Sequence, residues 1–454
     1  MRGAGAEGGR GVDYRLIADR IAADINGGRL RPGQRLPPQR TFARRRGIAP
    51  STAGRVYAEL VRRGLVVGEV GRGTFVRATE PGGAGHALVE PATTALVNLE
   101  LNYPAVPGQS ELLAPALAPL LRPDALTTAL WPAPATGTAA ARTAVADLLA
   151  AGGWRPDPAG ILFTGNARQA IAATLSCLVP PGGRIGVEQL TYPLVKEIAA
   201  RLGGTLVPLA SDEEGPLPEA IAAAHRAAPL SVLYLQPTLH NPTSLTTSTR
   251  RRTRLAALMR ELTLPAVEDR VWSFLHPGAE PPLAALAPGL THVVDGLSKR
   301  VAPGLTVGFV AAPPGRAKAL ASAVRSGGWG AGGLALEAAV RWLEEGTVAR
   351  LVAAKRRDAA RRQRLLAEEL RPFSVRSDPS AYFAWWRLPA PWRADTFTAA
   401  AAAHGIAVTP GTAFSADPAH TPDAVRLGLA SVSERELREA LRTLARVARG
   451  GPGG

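Results

Sequence analysis

The stretch Thr291-His-Val-Val-Asp-Gly-Leu-Ser-Lys-Arg-Val-Ala-Pro-Gly304 opens on a largely apolar run, Thr291 to Leu297. A short apolar run of this kind reads as a buried strand of a parallel sheet, here ending at Ser298 and Lys299. Open α/β sheets bind their ligands at the carboxyl edge. The chain has four lysines (Lys196, Lys299, Lys318 and Lys355) among 53 basic residues, so lysine is not the default cation of this composition. Arginine cannot form a Schiff base, whereas a lysine amine can, and desolvation lowers its pKa towards a nucleophilic state. Alone, a lysine at a strand end is an ordinary surface residue. Its upstream neighbours give it a further meaning.

Leu264-Pro-Ala-Val-Glu-Asp269 is a second short strand that ends in a carboxylate, about thirty residues before the lysine. In a pyridoxal phosphate site an aspartate pairs with the pyridinium nitrogen and keeps it protonated, so the ring acts as an electron sink. A third strand, Leu230 to Pro237, leads into Thr238-Leu-His-Asn241-Pro242-Thr243. In order and spacing, this set resembles the Asn-Pro-Thr-Gly loop, ring-nitrogen Asp and Ser-Lys of the fold type I aminotransferases. Each triplet alone is weak evidence; three in order, each closing a predicted strand, are strong evidence.

At 454 residues the chain exceeds one ordinary domain and can bury a large core. An apolar fraction of 46% fits a globular protein. No apolar run reaches the 18 or so residues of a membrane span. The polar, Gly-rich first ten residues argue against a secretory signal. The single cysteine, Cys177, excludes an intrachain disulfide framework and fits a cytoplasmic location. In its Ala/Leu-rich helix it reads as a buried structural thiol, and no metal site is expected.

The net charge of +16 is concentrated: residues 1–80 hold 16 Arg against 7 Asp and Glu. An arginine-rich head on a less charged body suggests nucleic-acid contact by the head. Tyr14 to Asn26 carries apolar residues at helical spacing and stops at Gly27-Gly28. Gln39 to Arg46 is a short helix, Gly47 turns the chain, and Pro50 opens a helix to about Arg63. Two helices about a tight turn give the helix-turn-helix pattern, whose second helix enters the major groove. Leu65 to Val76 then reads as two short strands with a glycine-rich tip, a wing.

This head resembles the GntR-type winged helix through Gly33, Leu36-Pro37, Tyr57-Ala-Glu-Leu60 and Gly71-Arg-Gly-Thr-Phe-Val76. The resemblance implies that Arg40, Arg44, Ser51, Thr52 and Arg55 face DNA, and that Arg72, Gly73 and Thr74 meet the minor groove or backbone. Pro50 stands where that family often has an arginine, so one contact is expected to be missing. Residues 79–96, which include His86, are rich in Gly, Pro, Ala and Thr without a period and read as a flexible linker.

From about residue 97 the strand–helix alternation of an α/β domain begins. Phe163-Thr-Gly-Asn-Ala167-Arg168 is a strand end entering a helix, where backbone amides can hold a phosphate. The whole chain, about 11–450, resembles the MocR subgroup of GntR regulators. That implies a winged helix-turn-helix at 11–78, a linker at 79–96 and an aminotransferase-like body at 97–450. The body divides into a large α/β domain to about 315 and a small one at about 370–450. By the same resemblance Tyr192 stacks on the cofactor, Trp272, Ser298 and Arg300 adjoin it, and Arg426 grips a ligand carboxylate. The expected partners are an operator in double-stranded DNA, an amino-type effector and a second copy of the chain, head to tail.

Four positions depart from the family. Trp272 replaces a tyrosine, Thr306 a phosphate-binding arginine, Gly296 a hydroxyl residue and Ser244 the loop glycine. They imply weakened phosphate binding, for which Ser298 or Arg300 could compensate. The reading is a transcription regulator that senses pyridoxal phosphate or an amino compound. The alternatives are a working aminotransferase with a DNA-binding head, and a regulator that has lost the cofactor.

Overall fold

The computed structural model describes residues 14–26, 29–30, 34–62, 65–69, 73–76, 97–131, 133–278, 280–417 and 421–451. The expected linker and Arg72 lie outside the described residues. In the head, α1 spans Tyr14–Asn26, α2 Gln39–Arg46 and α3 Pro50–Arg62. Gly47 closes α2 in the left-handed region (φ 62°), which a glycine adopts without the steric cost of a Cβ. Strands Val66–Glu69 and Gly73–Val76 pair antiparallel, and Arg35–Leu36 adds a third strand against the latter. Ile21, Phe42, Val56, Tyr57, Leu60 and Val76 are among the side chains that close a small core. The Tyr57 hydroxyl donates to the Pro37 carbonyl, which fixes α3 against the turn before α2.

The body is built on a seven-stranded sheet. Its order is Ile161–Thr164, Gly308–Ala311, Thr291–Gly296, Ala266–Asp269, Val232–Leu235, Arg184–Glu188 and Thr205–Leu209. The five strands from Thr291–Gly296 to Thr205–Leu209 run parallel. Gly308–Ala311 is antiparallel to both neighbours. The short return from the Lys299 turn accounts for it, since a parallel crossover needs a dozen residues or more. That strand starts at Gly308. Any Cβ on Gly308 would run into the Asn166 carbonyl carbon, so glycine lets two backbones cross there.

Both faces of the sheet are covered. Along Thr291–Gly296, Val293 packs into one apolar layer with Phe163, Phe309 and Trp342, and Val294 into the other with Val187, Tyr234 and Val267. Successive side chains alternate across the sheet, so one strand feeds both cores. Helix Thr347–Glu369 continues into a smaller unit with a four-stranded sheet, Val375–Ser377, Phe383–Arg387, Ala424–Gly428 and Thr409–Pro410. Helix Glu434–Gly450 packs its Leu437, Leu441 and Leu444 beneath that unit and is opened by a Ser433–Glu436 capping box. Strand Val97–Asn98 pairs with Ile406–Ala407, so the first described residues of the body join this smaller unit.

Cys177 is a correction. It is exposed on helix Ala167–Leu178, whose buried side includes Ala170, Ile171, Ala173 and Thr174. The uniform Ala/Leu composition of that helix conceals which face turns outward. Partial burial still pushes the thiol above its ordinary pKa. Among the described residues no helix is long and apolar enough to cross a membrane.

Candidate functional site

A cleft forms where the carboxyl ends of the central strands meet the smaller unit. It is lined by Tyr192, Asn241, Asp269, Trp272, Ser298, Lys299, Ala167, Arg168 and Arg426, all expected from the sequence, together with Thr306. Asp269 and Lys299 come from neighbouring parallel strands in register, Asp269 opposite Val294. Parallel pairing with both chains turning out at the same edge brings residues thirty positions apart to one floor.

Asp269 is almost wholly buried and held at both oxygens. Its Oδ2 accepts from the Tyr234 hydroxyl (2.6 Å) and Gln236 Nε2 (2.8 Å), and its Oδ1 from the Val271 amide (3.0 Å). Burial raises its pKa while these three donors oppose the shift. No cation among the described residues pairs with it. A buried carboxylate with donors but no countercharge is the partner a cationic ring nitrogen requires.

The Lys299 amine donates to the Asn102 carbonyl (2.7 Å) and lies 4.3 Å from the Tyr103 ring centroid and 5.2 Å from that of Trp272. Burial, followed by the cations Arg426, Arg168 and Lys355, brings its pKa down to about 7. From beneath, Lys355 donates to the carbonyls of Lys299 (3.1 Å) and Val301 (2.8 Å), clamping the turn. Asn166 caps helix Ala167–Leu178 by accepting from the Gln169 amide, so the helix start faces the cleft at Ala167 and Arg168. A helix start with free amides favours an anion.

Arg426 is buried on Ala424–Gly428, bonded to the Glu100 carbonyl and to Thr409 Oγ1 (3.1 Å), with its guanidinium over Phe414. Its Nε has no partner. Burial lowers its pKa to about 10, and burial raises the nearby Glu100 carboxyl to about 7 against the pull of Arg426.

Arg300 is the second correction. It turns away from the cleft, pairs with buried Asp295 and lines a different cavity. A side chain one residue after Lys299 exits on the opposite side of the turn, so it is not available to this cleft. Ser244 stands at φ 59°, the left-handed region that favours glycine, and its hydroxyl donates to the Phe383 carbonyl (3.0 Å). That bond offsets the roughly 1–2 kcal/mol cost of a Cβ there. Trp272 packs edge-on to Phe383 (5.3 Å), tying the cleft wall to the smaller unit.

Sequence reading missed Tyr234, Gln236, Glu100, Asn102 and Tyr103. The first two were readable from the parallel strand next to Asp269, since a tyrosine and a glutamine at a buried strand end need partners. Nothing in the sequence marks Asn102, whose position depends on pairing between segments far apart in the chain.

In the head, Arg40, Arg44, Ser51 and Arg55 are exposed and Thr52 is half-buried on α2 and α3. Gly73 and Thr74 open the second wing strand. This arrangement leaves the arginines free of the head's core. Among the described residues no group of His, Cys, Asp and Glu is placed to hold a metal ion.

Residues 120–444 match the aminotransferase class I and II family, and residues 13–76 match the gntR family of bacterial regulatory proteins. The chain is 28% identical to the uncharacterized HTH-type transcriptional regulator YdeF of Bacillus subtilis (strain 168), over 96% of this chain and 94% of that protein. It is 27% identical to the HTH-type pyridoxine biosynthesis transcriptional regulator PdxR of Corynebacterium glutamicum, over 78% of each. The body is similar to the crystal structure of LysN, the alpha-aminoadipate aminotransferase of Thermus thermophilus, complexed with N-(5'-phosphopyridoxyl)-L-leucine. The TM-score is 0.70 and the identity 25%, over 78% of this chain and 92% of that one. The chain therefore belongs to the aminotransferase class I and II family and, through its gntR-family head, has the MocR-type architecture of a helix-turn-helix regulator fused to a fold type I aminotransferase domain.

Proposed function

We propose that this protein is a transcription regulator whose head binds an operator in double-stranded DNA and whose body binds pyridoxal 5'-phosphate through Lys299. The observation that carries this reading is the convergence of Lys299, Asp269 and the helix start at Ala167–Arg168 in one cleft of a chain with a gntR-family head.

The residues present fit the cofactor. Asp269 lacks a countercharge; Asn241 Oδ1 and Thr306 Oγ1 are buried without a hydrogen-bond partner at the cleft wall. Each such orphan costs about 1–3 kcal/mol unless a ligand satisfies it. Lys299 would carry the covalent link, Asp269 would hold a proton on the ring nitrogen, and Asn241 would meet the ring's edge. The amides of Ala167 and Arg168, with Ser298 and Thr306, would hold the phosphate, and Tyr192 and Trp272 would flank the ring. When bound, the cofactor supplies an electron sink for chemistry at an amine's α-carbon. Arg426 would grip the carboxylate of an amino-compound effector through a paired fork.

A relative named as a pyridoxine biosynthesis regulator supports the cofactor as a sensed species; an amino compound that competes for Lys299 is the other species such a cleft would sense. Two heads on a dimer would span two half-sites, each contributing exposed arginines. The test is a visible absorbance spectrum of purified full-length protein with and without pyridoxal phosphate, beside operator binding by gel shift. Any cofactor-dependent visible band lost in Lys299→Ala supports the reading, and none at saturating cofactor refutes it. Sustained turnover of an amino donor would instead identify a working aminotransferase.

A further inference from the structure

A second cavity, about 610 Å³, opens behind the Lys299 turn. Its walls come from the end of helix Ala139–Leu149, the loop after Asp269, Arg300, and helices Gly333–Glu344 and Thr347–Glu369. We propose that it is a second ligand site, for a small organic anion. The acid group, a phosphate or a carboxylate, is held by Arg270, Arg300 and Arg356, and the apolar body lies along Leu148, Leu343 and Val352.

Of the three arginines, Arg300 alone forms an ion pair among the described residues. It is 3% exposed, pairs with Asp295, stacks its guanidinium over Phe274 (5.0 Å) and leaves a buried Nε without a partner. Arg270 sits over the Trp154 ring and donates from Nη1 to the Leu149 carbonyl (2.9 Å). Arg356 donates from Nε to the Phe274 carbonyl (2.7 Å). Burial lowers the pKa of Arg270, against the pull of Glu268 and Asp295, and Arg300 lowers it further. Burial and Arg300 also lower that of Arg356.

None of the other acids of the walls forms an ion pair with these three arginines: Asp147 pairs with Arg155 (2.8 Å), Glu280 contacts His276 (3.1 Å), and Glu344 is exposed. Arg270, partly buried without an ion-pair partner, is costly, and a planar oxyanion matches the guanidinium fork. The cavity volume falls in the range of small-molecule sites, and its mixed walls suit a ligand with an acid head and an apolar remainder.

The site also adjoins the cofactor lysine through the chain itself. Arg300 follows Lys299, and Arg356 follows Lys355, whose amine clamps the carbonyls of Lys299 and Val301. A ligand bridging Arg300 and Arg356 would therefore brace the turn that carries Lys299.

The test is calorimetric titration of the full-length protein, saturated with pyridoxal phosphate so that the first cleft and its phosphate cradle are filled. The probes are phenyl phosphate, benzoate and inorganic phosphate. One organic anion should bind per chain, more tightly than inorganic phosphate; whether phenyl phosphate or benzoate prevails identifies the acid group. Arg270→Gln and Arg356→Ala should each weaken that binding at least ten-fold while the visible band and melting temperature stay as in the wild type. Arg356 is exposed, so its variant keeps the test valid if Arg270→Gln fails to fold. Arg325→Ala, an exposed arginine that lines neither cavity, should leave probe binding unchanged. Lys299→Ala should still bind the probe, which makes the result independent of the cofactor reading. Equal affinity in wild type and both variants, loss of binding on cofactor saturation, or no binding at millimolar probe would each overturn the proposal.

Discussion

The Lys299 amine donates to the carbonyl of Asn102, 197 residues earlier in the chain, at 2.7 Å. Asn102 in turn accepts from the Ala430 amide through its side chain (3.2 Å), which ties the lysine to the smaller unit. Covalent use of the amine would release the Asn102 carbonyl.

Lys299→Ala should remove the visible band formed with pyridoxal phosphate while operator binding stays measurable by gel shift. The head's core is separate from the cleft, so its fold does not depend on Lys299. A band that persists in the variant would assign the attachment to another lysine.

Cofactor attachment should accelerate with pH through about 7 and level off by about two units higher. Attachment needs the neutral amine, and burial brings the Lys299 pKa from 10.5 to about 7. Protonation dominates below that value and the free base above it. Stopped-flow mixing with pyridoxal phosphate reads the midpoint directly; a rate still climbing steeply beyond about two units above it would indicate an unperturbed lysine.

Thr306→Arg should raise affinity for pyridoxal phosphate by about ten-fold or more, the equivalent of one charge-assisted bond. Thr306 lines the cleft and its Oγ1 is buried without a partner, whereas Arg300 is committed to Asp295 elsewhere. Pyridoxal without its phosphate should gain nothing. A cofactor titration that finds unchanged affinity would place the needed charge on Arg168.

Arg426→Ala should weaken the response to amino-acid effectors by about ten- to a hundred-fold while leaving the cofactor band intact. The measurement is the effector concentration that half-shifts the visible spectrum. Equal half-points would move the carboxylate contact to another residue, with Arg168 next in line.

Arg55→Ala should weaken specific operator binding and flatten its salt dependence, because an exposed arginine on α3 contributes counterion release. Residues 11–78 alone should bind weakly, and the full-length protein far more tightly on a two-half-site operator. Fluorescence anisotropy across a salt series would reveal whether the variant matches the wild type, which would remove α3 from the interface.

The order of Asn241, Asp269 and Lys299 is written in the primary structure because each follows a local signal: an apolar run, then polar residues at or soon after its end. The winged helix is equally local. Its helices Tyr14–Asn26 and Gln39–Arg46 and the glycine-bounded wing follow from spacing and turn residues within one short stretch of chain. Tertiary structure decided the rest, because it depends on contacts between distant segments. The antiparallel strand Gly308–Ala311 follows from a connection too short for a crossover, and Arg300 faces Asp295 because of the turn's geometry. Cys177 lies outward because helix packing, not composition, chooses the buried face. Asn102 reaches Lys299 from a segment held by the pairing of Val97–Asn98 with Ile406–Ala407 and by the Ala430 amide on its side chain, and no local pattern encodes contacts between segments so far apart in the chain.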